Sequence, residues 1–141
     1  MAFKFYAVWL SAVCVAVFIL QTLFSGFTDL FVLNSQSYWE FWRFLTAIFL
    51  HSSLIHLIYN LFALLLFGSI VERLVGEKRF LIIFFVSGVL ANLVSVSFYP
   101  SSLGASGAIF GVIGALIIIR PTMAVFAFGL PMPMFLAGIL W

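Results

Sequence analysis

The stretch Ser101–Arg120, SSLGASGAIFGVIGALIIIR, decides how the whole chain is read. A polar, glycine-bearing turn, Leu103–Gly107, runs directly into an apolar run that stops at Arg120-Pro121. Gly104, Gly107, Gly111 and Gly114 recur three or four residues apart, so on a helix they form a stripe without side chains. Such stripes let backbones approach closely, which is how helices pack in lipid. Ser106 stands where this helix begins. The 14 residues from Ser106 to Ile119 cover about 21 Å at helical rise, against about 30 Å for a hydrocarbon core. With Arg120 at one membrane surface, Ser106 lies roughly 10 Å below the other. The turn before it is then non-helical backbone at membrane depth, which is tolerated only where protein or trapped water satisfies its polar groups. The stretch therefore asks for a wet pocket.

Composition supports a membrane setting. The 141 residues are 66% hydrophobic and only 7% charged, where soluble domains carry roughly 25% charge. Mean hydropathy is +1.33. The length is thus better read as a count of spans than as one soluble domain. A net charge of +2 without a basic cluster gives no footing for nucleic-acid binding. The single cysteine, Cys14, excludes an internal disulfide. Met-Ala-Phe-Lys leads into an apolar run too long for a signal-peptide core and without a small-x-small cleavage site, so it reads as a retained first span.

Taken in order, the chain offers spans at about 5–24, 49–70, 80–98, 106–119 and 122–140, with a first loop over 25–48. The fifth holds Gly129, Pro131 and Pro133 and is expected to be kinked or interrupted. The first loop mixes Asn34, Ser35, Gln36, Ser37 and Glu40 with Tyr38, Trp39, Phe41 and Trp42, a composition suited to the headgroup region. A cytoplasmic N-terminus puts Lys4, Arg73, Lys78, Arg79 and Arg120 inside and only Arg43 outside, five against one. The first loop and the Ser106 turn then both face outward.

Span two carries His51, His56 and Asn60, an H-x4-H-x3-N order. His56 and Asn60 share a helix face at i, i+4. Counted from Phe49–Leu50, His56 lies about 9–10 Å down at helical rise, level with Ser106. Ionisable residues inside a membrane are costly and mark functional sites. His51, five residues before His56, is read as pointing elsewhere and structural. That spacing, with no third ligand nearby, gives no support for a metal. Read alone, Ser106 is a helix N-cap, and His56 and Asn60 are interhelical hydrogen-bonding groups. Together at one level they read as a hydrolytic site.

These residues also carry a family resemblance. Gly104-Ala105-Ser106-Gly107 resembles the G-x-S-G motif of rhomboid intramembrane serine proteases, and His51…His56…Asn60 is similar to that family's second core helix. Trp42-Arg43 looks like its Trp-Arg pair at the end of the first loop. Glu72 with Gly76 resembles its turn after the second helix, although Arg73 stands one place early. The resemblance implies an all-α, polytopic membrane bundle of about five transmembrane helices here, with a short central fourth helix and an interfacial first loop. It implies Ser106 as nucleophile, with His56, Asn60 and the Ser106 backbone N–H as the oxyanion site, and Gly104 permitting the tight loop. It implies no cofactor, and as partners the bilayer and transmembrane-helix substrates cut near their outer ends.

The chain departs from that pattern in one respect. The resemblance implies a base histidine on a sixth core helix, whereas the two histidines here both lie on span two. The expectation is an intramembrane serine endopeptidase whose 141 residues are inactive alone and need a sixth helix in cis or in trans. Two other readings stand beside it. One is a proteolytically dead relative that binds transmembrane helices. The other is a piece of a transporter, for which too few charges lie within the spans.

Overall fold

The computed structural model describes residues 4–127 and 129–140. Met1–Phe3, Phe128 and Trp141 lie outside the described residues, and Phe128 is the one of them that falls inside an expected span, 122–140. Three helices are long and apolar enough to cross a membrane: α1 (Tyr6–Leu23), α4 (Leu54–Val75) and α5 (Glu77–Ser95). A shorter apolar helix, α6 (Ser106–Ile119), has the bounds expected from sequence. Helices dominate because a backbone without water must satisfy its polar groups within its own segment.

The core lies where α4, α5 and α6 meet α1. Phe67, Phe80 and Phe84 are fully buried there, with Ile109, Ile113 and Leu116 from α6. The most extensive contact is between α5 and α6. It depends on two glycines: a Cβ at Gly107 would strike Ala91, and one at Gly111 would strike Ser87. Gly114 meets nothing and Gly104 precedes the helix, so the four-glycine stripe works as a two-glycine contact.

Midway along α4 the helix widens into a π turn, Leu64–Gly68. Gly68 sits there against Ala7 of α1 and Phe80 of α5, in space too tight for a side chain without adjustment. At the far end of α4, Glu72 is completely buried. Its carboxylate accepts from Tyr6 N at 2.6 Å and Ala7 N at 2.9 Å. These are first-turn N–H groups of α1, which have no partner inside their own helix and carry the positive end of its dipole. Arg73 beside it lies over the Phe5 ring, 5.7 Å from its centroid.

Between α1 and α4 runs a loop with two short helices, α2 (Phe27–Phe31) and α3 (Arg43–Thr46). The buried Arg43 gathers it, donating to Asp29 O at 2.7 Å and Val32 O at 2.8 Å and pairing with Glu40. Within the loop, β1 (Leu33–Asn34) pairs antiparallel with β2 (Ser101–Ser102), Leu33 opposite Ser102 and Asn34 opposite Ser101. The first loop is thereby stitched to the segment that leads into Ser106.

Two expected spans differ from what the chain forms. The second starts at Leu54 and not near 49, because Leu50 and Ser53 take extended backbone and Ser53 caps the helix. The stretch 122–140 is not a single helix. It forms β3 (Ala124–Ala127), antiparallel to β4 (Leu130–Pro133), and then a seven-residue helix, α7 (Met134–Leu140). Pro131 and Pro133 cannot donate within a helix, but a two-stranded edge tolerates them.

Candidate active site around Ser106

Ser106 is the first residue of α6, and Ala105 holds the cap position without a side-chain cap bond. The hydroxyl is therefore not spent as an N-cap. Among the described residues it makes no side-chain hydrogen bond. The preceding turn is shaped by Gly104, whose φ of +112° disfavours any L side chain. Its N–H donates to Ala47 O at 2.8 Å. Ser35 N donates to Pro100 O at 3.2 Å, and Asn92 of α5 bridges the same region. Asn92 Nδ2 donates to Phe44 O at 2.8 Å, and its Oδ1 accepts from Ser102 Oγ at 2.9 Å.

The structure brings His56 onto this turn. A Cβ placed on Gly104 would lie 2.7 Å from His56 Cε1 and 2.9 Å from Nε2, with Nδ1 farther off at 3.8 Å. The Cε1–Nε2 edge of the ring thus rests on the glycine two residues before Ser106. Only a residue without a side chain fits under it. Asn60, one turn along α4, is buried, and its Nδ2 donates to the His56 carbonyl at 2.8 Å. Among the described residues no hydrogen bond joins Ser106 Oγ to His56 or to Asn60. Of the expected residues, Gly104, Ser106 and His56 share one neighbourhood, while Asn60's amide is turned to its own helix.

His51 departs from expectation. It lies outside the helix, in the non-helical link before α4, so the i, i+5 geometry does not apply to it. It is buried, and its ring meets the His56 ring edge-on, with centroids 5.1 Å apart. Gln21 of α1 clamps its backbone, accepting from His51 N at 2.9 Å and donating to His51 O at 3.2 Å. His51 Nδ1 lies 3.1 Å from Phe49 O, and a carbonyl only accepts, so Nδ1 carries the proton. Among the described residues His51 Nε2 is buried and without a partner. Burial, then the nearby His56, pushes the His51 pKa down to about 4, against the opposing effect of the Phe49 bond.

On its other side Ser106 borders a cavity of about 210 Å³, shared with Asn92, Ser95, Tyr99, Ser102 and Gly104. Its hydroxyls and amide are suited to hold water. The first-turn N–H groups of α6, including that of Ser106, have no intrahelical acceptor and present a positive helix end. The arrangement places a hydroxyl and backbone donors beside a polar cavity, with an imidazole resting on Gly104 of the same turn. Sequence reasoning missed Gln21, Ser52 and Asn92. Each is a polar side chain in or beside an apolar run, and that alone was the available signal.

The fold and this neighbourhood define a class: an integral membrane helix bundle with a serine at the head of a short internal helix. Residues 38–141 match the Rhomboid domain family, and the chain belongs to that family. It is 49% identical over 80 residues to rhomboid protease GluP of Bacillus subtilis, covering 55% of this chain and 16% of that protein. It is 32% identical over 117 residues to the chloroplastic Rhomboid-like protein 11 of Arabidopsis thaliana, covering 79% of this chain and 41% of the relative. A protein named inactive RHOMBOID-like protein 8, also from Arabidopsis thaliana, is 40% identical over 80 residues, covering 55% of this chain and 23% of that one. The chain thus spans well under half the length of these relatives.

Proposed function

We propose that this chain carries the nucleophile and the oxyanion donors of a rhomboid-type intramembrane serine endopeptidase. Ser106 attacks the scissile carbonyl. His56 Nε2, the Ser106 backbone N–H and Asn60 after rotation of its amide receive the oxyanion. Each well-aimed donor contributes about 10²–10³ in rate. Gly104 keeps the turn low enough for the imidazole to reach over it. Substrates are transmembrane helices cut near their outer end. The N-terminus is cytoplasmic, and the first loop and the Ser106 pocket face outward.

The observation that carries this reading is the His56 ring seated on Gly104, two residues before Ser106. A serine needs a base to become nucleophilic. His51 is occupied at Nδ1 by a carbonyl, and His56 is assigned to the oxyanion. Following the rhomboid resemblance, we assign the base to a histidine on a further helix, supplied in cis or in trans, and expect these residues alone to be inactive. Fluorophosphonate labelling of Ser106 and cleavage of a transmembrane substrate test this. Both should be negligible for the 141-residue chain and appear when a histidine-bearing helix is supplied, and Ser106→Ala should abolish both. Robust Ser106-dependent turnover by the short chain alone refutes the need for an added base.

A second reading is a proteolytically dead binder of transmembrane helices. One relative is named inactive. Retention of a transmembrane helix with no cleavage, even in the extended protein, would select it.

A further inference from the structure

His56 has two ring nitrogens and, when neutral, one proton between them. Which nitrogen carries it decides whether the ring faces Ser106 as a donor or as a base. The structure separates the two. Nε2 lies over Gly104, at the turn that leads to Ser106. Nδ1 lies 3.1 Å from Ser52 Oγ, and this is the one side-chain hydrogen bond of the ring among the described residues. His51 cannot supply a proton to it. Its own N–H is committed to Phe49 O, and its remaining nitrogen carries no proton and has no partner among the described residues. The neighbouring Ser53 is also occupied, accepting from the His56 backbone N–H at 3.1 Å as the helix cap. The two adjacent serines thus act on different parts of one residue. Ser53 holds the backbone of His56, and Ser52 holds its ring.

We propose that Ser52 is a positioning residue whose hydroxyl donates to His56 Nδ1 and keeps the single ring proton on Nε2, the nitrogen at the Ser106 turn. His56 is thereby a standing hydrogen-bond donor and is withheld from acting as base. The edge-on His51 ring limits rotation of the imidazole about this contact. The role assigned to Ser52 rests on the proposed oxyanion site, but the tautomer itself is measurable without any turnover.

The test is ¹⁵N-histidine NMR of the whole chain in lipid vesicles at neutral pH, with His56→Gln used to identify the His56 signals by their disappearance. The expected spectrum of the unaltered chain shows mainly Nε2-protonated His56. Ser52→Ala should move the tautomer ratio toward Nδ1–H by about two- to tenfold, the weight of one net hydrogen bond. Ser52→Thr, which keeps the hydroxyl, should restore the ratio. A chain in which Nδ1–H already dominates, or in which Ser52→Ala leaves the ratio unchanged, overturns the proposal. In the protein extended by a histidine-bearing helix, Ser52→Ala should slow Ser106 labelling by about three- to tenfold, and Ser52→Thr should recover it, less than full loss of a donor would cost. No labelling in any variant would sink the protease reading, and the NMR ratio would still decide the role of Ser52.

Discussion

The two ends of this bundle are fastened by opposite chemistry. At the Ser106 end, side-chain donors reach loop carbonyls: Arg43 to Asp29 and Val32, Asn92 to Phe44, Gln21 to His51. At the other end acceptors reach the start of the chain: buried Glu72 takes two helix N–H groups of α1, and Glu77, in an exposed bond, takes the backbone N–H of Lys4. The first kind of fastening is spread over many bonds and tolerates the loss of one. The second is concentrated in a single buried carboxylate. The difference teaches where single substitutions should hurt. A distributed network protects the geometry of a site, while a concentrated one sets global stability.

The largest effect is therefore expected at Glu72. Glu72→Ala leaves one buried and one part-buried N–H group without acceptors, at a cost of roughly 2–5 kcal/mol in total. Glu72→Gln keeps one acceptor oxygen and should lose about half as much. Unfolding in mixed micelles measures both. An alanine variant with an unshifted midpoint would break the comparison.

Next in size is Gly104→Ala. Its φ of +112° alone makes a side chain strained, worth about 1–3 kcal/mol. The new methyl would also lie 2.7 Å from His56 Cε1, so the ring must move. Stability should fall less than for Glu72→Ala, while Ser106 reactivity in the extended protein should fall more. Equal labelling with a normal rate would mean that His56 has no part in the oxyanion site.

Arg43→Lys sharpens the distributed side of the comparison. Lysine keeps the charge but loses the planar fork that reaches two carbonyls and Glu40 at once. Global stability should drop by only about 1–2 kcal/mol, since the β1–β2 pairing and Asn92 remain. Limited proteolysis should instead show faster nicking between residues 29 and 43. A collapse of the whole fold would show that this loop is not distributed after all.

Much of this was legible in the sequence, for identifiable reasons. The bounds of α6 followed from length and from Arg120-Pro121, since a helix in lipid has few other places to stop. The depth count for His56 began from a wrong origin, because the link from Leu50 to Ser53 is not helical, so the contact of its ring with Gly104 was not legible from that count. The Gly129, Pro131 and Pro133 signal was correct in breaking the 122–140 run. A period-based reading still could not show that the break was a hairpin, because Val125 and Phe126 suit a strand and a buried helix equally. The long-range polar contacts stayed hidden. Gln21 and His51 are 30 residues apart and Asn92 and Phe44 are 48 apart, and nothing in local pattern pairs them.

An effect of a different kind, read as a slope against pH, separates His51 from the carboxylate chemistry at the opposite end. Folding holds its pKa at about 4, whereas an unfolded histidine titrates near 6.5. Between those values the unfolded chain takes up a proton that the folded chain refuses. Stability should therefore be flat above pH about 6.5 and decline as pH falls from there toward 4. His51→Asn removes the titrating group while leaving the backbone clamp by Gln21 in place, so this part of the acid slope should vanish. Comparing the two slopes cancels the carboxylates, which titrate alike in both proteins. Identical slopes would mean that protonated His51 is accommodated at the Ser106 end, and that its buried, unpartnered Nε2 has access to water.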